Sequence, residues 1–252
     1  MNLNSIKSIL TLRYDYTQIP TLPRLKWEDL EKKEEFSLED INNQLTSNLY
    51  SQIPKDYSGP ISISLSGGVD SSLALCLLKQ NFPENQIDAI SIKFSDSTDE
   101  TETASKIAKK VGVDHHIIEI DNFLEKLSDA ISITKLPFWD IHWIYVAENA
   151  KNFSNYLVSG DGGDELFGGY VFRYSKFLSK INSNSSPKDK IQAYLSCHER
   201  DHVPEQENIF DKKMQFNWKD IYDKLYPFFN NPLSPIEQVF LADYNGKLLY
   251  NF

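Results

Sequence analysis

ISISLSGGVDSSLALCLLKQ, residues 61–80, decides how the rest of the chain is read. Ile61, Ile63 and Leu65 alternate with Ser62 and Ser64, the two-residue period of a strand. Gly67 and Gly68 break that period, and Ser71 to Gln80 is so apolar that it reads as a helix buried on most sides. A strand that enters a tight glycine turn and then a helix points several backbone N–H groups, aided by the helix dipole, at one spot. Such a spot suits an anion. The hydroxyls of Ser66, Ser71 and Ser72 can bond phosphate oxygens, and Gly67 and Gly68 allow the backbone to come close. The turn holds no lysine, so it is neither the P-loop pattern nor GxGxxG. Asp70 would repel a bare phosphate, which makes sense if a cation lies between them. The plain alternative is a Gly-Gly turn with no ligand.

Outward from this stretch, strand and helix signals alternate. Ser37-Leu38-Glu39-Asp40 opens a helix to about Tyr50, with Ser37 as N-cap. Ile87–Phe94 reads as a second strand and His116–Ile120 as a third. Between them Ala104, Ile107, Ala108 and Val111 recur at helical spacing, and Gly112 stands where a helix ends. Phe123–Ile133 and Trp143–Ala150 read as helices and Tyr156–Ser159 as a short fourth strand. Strands separated by helices of this length imply βαβ units and a parallel sheet of about five strands. The expected fold is α/β: a doubly wound parallel sheet with additional C-terminal helices. Past Phe177 the signal weakens, a polar stretch occupies 182–187, and helices are expected at Lys188–Cys197 and Pro235–Tyr250 with irregular chain between. The expected division is a solvated lead-in at 1–37, an α/β domain at 38–180 and a partial helical region at 181–252.

A second glycine-rich stretch, LVSGDGGDELFGGY at 157–170, comes after the fourth strand. It carries five glycines and the acids Asp161, Asp164 and Glu165. Ligands of open α/β sheets bind outside the carboxyl ends of strands, where the strand order reverses. If both glycine turns lie on that edge, their acids are placed to hold Mg2+ on the phosphates of a nucleotide.

Composition narrows the class further. A formal net charge of -10 argues against an extended nucleic-acid surface, which would cluster Lys and Arg. Two cysteines, Cys76 and Cys197, do not make a disulfide framework and suit a reducing compartment. No run approaches the roughly 20 apolar residues needed to span a bilayer, and the N-terminus lacks the pattern of a signal peptide. The expectation is a cytoplasmic protein that binds neither membrane nor nucleic acid.

Ser66-Gly67-Gly68-Val69-Asp70-Ser71-Ser72 resembles the pyrophosphate-binding loop of the N-type ATP pyrophosphatases, shared by NAD, GMP and argininosuccinate synthetases and several tRNA-modifying enzymes. Ser159 to Tyr170 resembles the more specific second signature of the asparagine synthetase family, and Leu136-Pro137-Phe138-Trp139-Asp140 also resembles a family segment. The resemblance is clear over about residues 38–175. It implies an adenine nucleotide α-hydrolase-like sheet and a reaction in which a carboxylate, aspartate by default, attacks ATP, releases pyrophosphate and is then amidated by ammonia or an amine. By the same resemblance Ser66, Gly67, Gly68, Asp70, Ser71 and Ser72 hold pyrophosphate, and Asp70 and Asp164 hold Mg2+. Ile92, Ser159 and Gly160 line the adenosine, and Asp161, beside Asp164 in the catalytic motif, faces the substrate. The family's glutaminase domain is not expected here, since residue 2 is Asn, so ammonia comes from solution or from a separate glutaminase subunit. Asp243 to Tyr250 resembles the start of a segment that in the family leads to a catalytic lysine and a substrate-site acid. The chain is then a short member, a fragment, or one whose site is completed in trans or in a homo-oligomer.

Other readings compete. A nucleotide-binding subunit without turnover keeps both motifs, and a tRNA-thiolating relative would use Cys76 and Cys197. His198-Glu199-Arg200-Asp201-His202 fits the zinc-protease pattern HExxH but stands just before Pro204 and reads as a chance match. Cys76 is expected to pack as a small apolar residue. Of His115 and His116 one is expected packed and one exposed, and Trp139 and Trp143 are expected in the core.

Overall fold

The computed structural model describes residues 3–20, 22–31, 35–95, 99–134, 141–197, 210 and 212–251. The segment 136–140, Trp139 and the HExxH match at 198–202 lie outside the described residues. The chain groups into two compact units, 35–161 and 1–34 with 162–252, so residues 162–180 sit with the C-terminal helices although the sequence suggests a boundary at 180.

The unit of residues 35–161 is built on a parallel sheet in the order β3-β2-β1-β4, with strands β1 (Ile61–Ser64), β2 (Ile87–Phe94), β3 (Asp114–Ile120) and β4 (Leu157–Val158). Among the described residues there are four strands, one fewer than expected. Two helices of the other unit, α1 (Leu3–Leu12) and α2 (Trp27–Glu31), come first in the chain. Helix α3 (Leu38–Gln52) opens with the expected capping box, Asp40 N donating to Ser37 Oγ at 3.1 Å and Ser37 N to the Asp40 carboxylate at 2.9 Å. Crossover helices α4 (Val69–Asn81) and α5 (Thr101–Val111) carry the chain from β1 to β2 to β3. Gly112 ends α5 in the left-handed conformation, φ +78°. Helices α6 (Leu127–Thr134) and α7 (His142–Ala150) then lead to β4 on the other side of β1, so the winding reverses at β1.

Alternation along the strands divides the core in two. Ile61, Ile63, Leu65, Ile87 and Ala89 face α3, α4 and α5, where Leu75, Leu78, Phe82, Ala104 and Ala108 meet them. Ile90 and Ile92 face the other way, toward Val146, Trp143 and Phe153. Trp143, expected in the core, is half-buried and packs against this cluster. Strand β3 splits its two histidines between these faces. His115 contacts the hydroxyls of Ser91 and Ser105 at 2.7 and 3.0 Å, and burial lowers its pKa, with the neighbouring His116 adding to the effect. His116 contacts the buried Asp88 carboxylate at 2.8 Å and stacks on Phe153. Both are half-buried, which corrects the expectation of one packed and one exposed.

Helix α4 differs from its sequence reading for a related reason. Only Ser71, Leu75 and Leu78 are buried, while Val69 and Leu73 are 83% and 48% exposed and Cys76 is exposed. Apolar character all round therefore does not mean contact all round, and Cys76 is not the packed residue expected.

The second unit is helical. To α1 and α2 it adds α8 (Gly163–Phe167), α9 (Val171–Ser179), α10 (Pro187–Cys197), α11 (Trp218–Phe229) and α12 (Pro235–Asp243). A π-helical turn, Tyr244–Leu248, joins α12 to the short α13, Leu249–Asn251. Phe177, Ile191, Ile221, Leu225, Phe229 and Val239 form its core. The lead-in is not solvated as expected. Ser5, Ser8, Ile9, Thr11, Tyr14 and Asp15 are buried, and their hydroxyls are satisfied close by: Thr11 Oγ1 donates to Lys7 O at 2.7 Å, Ser8 Oγ to Tyr14 O at 2.8 Å, and Ser5 Oγ to Asp15. Helix α11 stands where the sequence suggests irregular chain, and it carries Pro227 inside it. Its Asn217 cap and the buried series Ile221, Leu225 and Phe229 outweigh that one residue. Among the described residues no helix is long and apolar enough to cross a membrane.

The one-sided burial of α4 has a direct test. Leu75→Ala should lower stability by about 2–5 kcal/mol in urea unfolding, and Leu73→Ala by no more than about 0.5 kcal/mol. Equal losses at the two positions would show that both faces of the helix are packed.

Candidate functional site

The first glycine turn runs from β1 to α4 and is shaped by a close approach. Gly67 has φ +81°, and a Cβ there would lie 3.0 Å from Ala104 N and 3.3 Å from Thr103 Cβ at the start of α5. Gly68 is the N-cap of α4 and makes no side-chain cap hydrogen bond. The first amides of a helix have no partner within it, so the turn presents donors with the positive end of the helix dipole behind them.

The serines of the turn bond one another and the turn backbone. Ser66 N donates to Ser71 Oγ at 3.3 Å, the Ser66 and Ser71 hydroxyl oxygens lie 3.0 Å apart, and Gly68 N donates to Ser66 Oγ at 3.3 Å. Ser71 and Ser72 hydroxyls both donate to Gly68 O, at 3.3 and 2.6 Å. These hydroxyls hold the turn in shape. Asp70 is half-buried in the first turn of α4.

The turn after β4 meets this one. A Cβ on Gly160 would lie 2.5 Å from Ser71 N and 2.6 Å from Asp70 C, inside the backbone of the first turn of α4. Ser159 Oγ accepts from Asp161 N at 3.3 Å, and Asp161 is exposed. Because β1 pairs on one side with β2 and on the other with β4, these turns leave the sheet where its winding reverses. That is the crevice in which open α/β sheets bind ligands. Ser66, Gly67, Gly68, Asp70, Ser71, Ser72, Ser159, Gly160 and Asp161 are thus brought to one edge. Ile92 lies beyond the part of β2 that pairs with β1, its half-buried side chain among Ile90, Ile118 and Val146.

Asp164 belongs to the helical unit, on the first turn of α8. Gly162 and Gly168 bracket this helix with φ +88° and +70°, and Leu248 and Phe240 pack against them. Gly169 makes room for the Asp164 carboxylate, since a Cβ there would overlap Asp164 Oδ1. The next residue, Glu165, turns inward. Lys247 Nζ lies 2.8 Å from its Oε1, Tyr170 OH donates to the same oxygen at 2.8 Å, and Lys247 Nζ also contacts Tyr170 OH at 2.8 Å. Burial alone would raise the Glu165 pKa, but the Lys247 hydrogen bond and charge, with the Tyr170 hydrogen bond, more than offset it, so the net shift is downward. Burial and the Glu165 charge push the Tyr170 phenol far up, so it stays protonated. In the sequence Glu165 reads only as one more acid of the motif and Lys247 only as part of a helix. The available signal is a lysine among the apolar residues Leu241, Ala242, Leu248 and Leu249.

No group of three or more His, Cys, Asp or Glu able to cage a metal occurs among the described residues. Mg2+ is commonly held by one or two carboxylates together with substrate phosphates, and Asp70 and Asp164 are hard oxygen donors on first helical turns.

Comparison with known proteins identifies relatives of the chain. The asparagine synthase family matches residues 56–243. A putative glutamine-hydrolysing asparagine synthetase from Methanocaldococcus jannaschii is 33% identical over 155 residues, 55% of this chain and 30% of that protein. A glutamine-hydrolysing asparagine synthetase from Bacillus subtilis is 27% identical over 145 residues, 55% of this chain and 23% of that protein. The matched part is thus under a third of either relative's length. Among solved structures, that of NMN synthetase from Francisella tularensis superposes with a TM-score of 0.42 and 15% identity, covering 84% of this chain and 94% of that one, too distant to bear on function.

The contact between the two turns predicts the effect of a single methyl group. Gly160→Ala forces a Cβ to within 2.5 Å of Ser71 N and should cost about 1–3 kcal/mol by overpacking. Chemical unfolding of the variant measures it, and an unchanged midpoint would mean that the turns do not touch.

Proposed function

The chain belongs to the asparagine synthase family, and from that membership we propose that it is an AMP-forming, ATP-dependent amide synthetase. The observation that carries the reading is the meeting of the β1 and β4 turns at Gly160 and Ser71, at the reversal point of the sheet. A turn with uncapped helix amides suits a polyphosphate, and a second turn laid directly against it suits the rest of the same nucleotide.

In the proposed reaction a substrate carboxylate oxygen attacks the α-phosphorus of ATP and the bond to the β-phosphate oxygen breaks. Pyrophosphate leaves. Ammonia or an amine then attacks the acyl carbon of the acyl-adenylate and expels AMP, completing the amide. The amides of the Gly67–Ser72 turn bind the charge that develops on pyrophosphate, in a geometry set before reaction and needing no reorganisation. The hydroxyls of Ser66, Ser71 and Ser72 keep that turn closed, and those of Ser71 and Ser72 exchange Gly68 O for phosphate oxygens. Asp70 and Asp164 are the proposed holders of Mg2+, which when bound offsets phosphate charge. Ile92, Ser159 and Gly160 are assigned to the adenosine. Asp161, exposed at the mouth of the β4 turn, is assigned to the substrate side, where a carboxylate orients an amino group or accepts its proton. Aspartate is the proposed carboxylate, with ammonia taken from solution or from a separate glutaminase subunit.

The full chain incubated with ATP, Mg2+, ammonia and a panel of amino acids should release AMP and pyrophosphate in equal amounts, most with aspartate. ADP and phosphate as products would overturn the mechanism, and ATP binding without turnover would make the chain a binding module. Asp70→Ala and Asp164→Ala should each lower turnover by at least about a hundredfold, as loss of a charge-stabilising group does. Full activity in either variant would remove that residue from the site.

A further inference from the structure

We propose that Lys247 is a positioning residue for the second glycine turn: its ammonium grips Glu165 and so fixes the rotation of α8 that presents Asp164. The inference rests on the proposed role of Asp164. Helix α8 has only five residues, left-handed glycines at both ends and no side-chain cap hydrogen bond. A helix so short does not hold its own shape in water. Its orientation must come from tertiary contacts, and Glu165 supplies a buried, charged one.

Glu165 is one residue past Asp164, hence about 100° further around the helix axis. Whatever fixes the azimuth of Glu165 fixes that of Asp164. The Glu165 side chain is 2% exposed and that of Lys247 is 28% exposed, so the pair joins a buried carboxylate to a cation at the rim of the unit. Tyr170 closes the triangle: its hydroxyl bonds both partners, and Lys247 Nζ lies 4.8 Å from its ring centroid.

The backbone that delivers Lys247 is itself unusual. Lys247 lies in the π-helical turn Tyr244–Leu248, a form used sparingly and often at functional sites. One extra residue in a turn rotates the downstream helix by about 100°, so a regular helix would present a different face to α8. The π turn is clamped from the other side, where the Tyr14 ring leaves no space for a side chain at Gly246. Its next residue but one, Leu248, packs on Gly162 at the start of α8. For stability alone an apolar pair would serve as well, since a buried ion pair must overcome the desolvation of both charges. What the ion pair adds is a single allowed register.

The test compares Lys247→Met, Lys247→Arg and the double variant Lys247→Met with Glu165→Gln in the full chain. The double variant leaves no buried unpaired charge and replaces the single one if that fails to fold. Amide hydrogen exchange over residues 162–169 should quicken in the methionine variants while exchange in α4 stays as in the wild type. Affinity for ATP in the presence of Mg2+, read by calorimetry, should weaken about tenfold, the scale seen when a residue orienting a metal ligand is lost. Lys247→Arg should restore both to within about threefold. A folded methionine variant with wild-type exchange at 162–169, or with quickened exchange and unchanged affinity, would overturn the proposal. Wild-type protein that binds no ATP would overturn the functional reading instead, and the exchange rates would still decide whether Lys247 orders α8.

Discussion

No side chain fits between the end of β4 and the first turn of α4, and the candidate site depends on that fact. Gly160 lies on the backbone of Asp70 and Ser71, while Gly67 lies on the start of α5. The Ser66–Ser72 turn is therefore held between two neighbours, each approaching at a glycine. The approach is a consequence of the topology. Crossover helices cover the strands that wind in one direction, but at the reversal the loops of two adjacent strands part to opposite faces and leave a crevice. Here those strands are β1 and β4, paired through Ser62 with Leu157 and Ile63 with Val158.

Within the turn, polar groups are matched to one another. Serine hydroxyls and the Gly68 carbonyl close a small network, which keeps the α4 amides in a fixed array. In the helical unit the matching is done by charge. Arg173 lies 3.2 Å from the buried Asp243, which also accepts from Tyr194 OH at 2.7 Å, and Lys247 pairs with buried Glu165. Each pair ties residues 235–251 to α8 or α9. Both sets of contacts act on the same problem, that a glycine-rich segment has no rigidity of its own.

Much of this is legible in the sequence. The alternation of residues 61–65, the helical spacing of 104–111, the Gly112 stop and the Ser37–Asp40 box all appear where local chemistry puts them. So do both glycine turns, since no other residue tolerates those approaches. The misleading segments are those where one strong local feature stands against a weaker distributed one. Helix α11 reads as irregular chain, although Ile221, Leu225 and Phe229 already mark its buried face and outweigh Pro227 within it. The lead-in reads as solvated, yet Ser8 and Thr11 satisfy themselves on nearby carbonyls and are buried. Helix α4, apolar on every side, gives no hint of which side is covered.

The sequence by itself determined the alternation of strands and helices from Leu38 to Val158, the two glycine turns and the acids they carry. These are properties of short stretches, governed by side-chain period and backbone freedom, and they need no partner to be recognised. Only the tertiary structure decided that Gly160 rests on Ser71, that the serines brace their own turn, and that Lys247 closes on Glu165. Each of those joins residues about 80 or more apart, or turns on which of several possible hydrogen bonds a hydroxyl makes. Such choices are set by which groups the folded backbone brings within reach, and no local pattern records them.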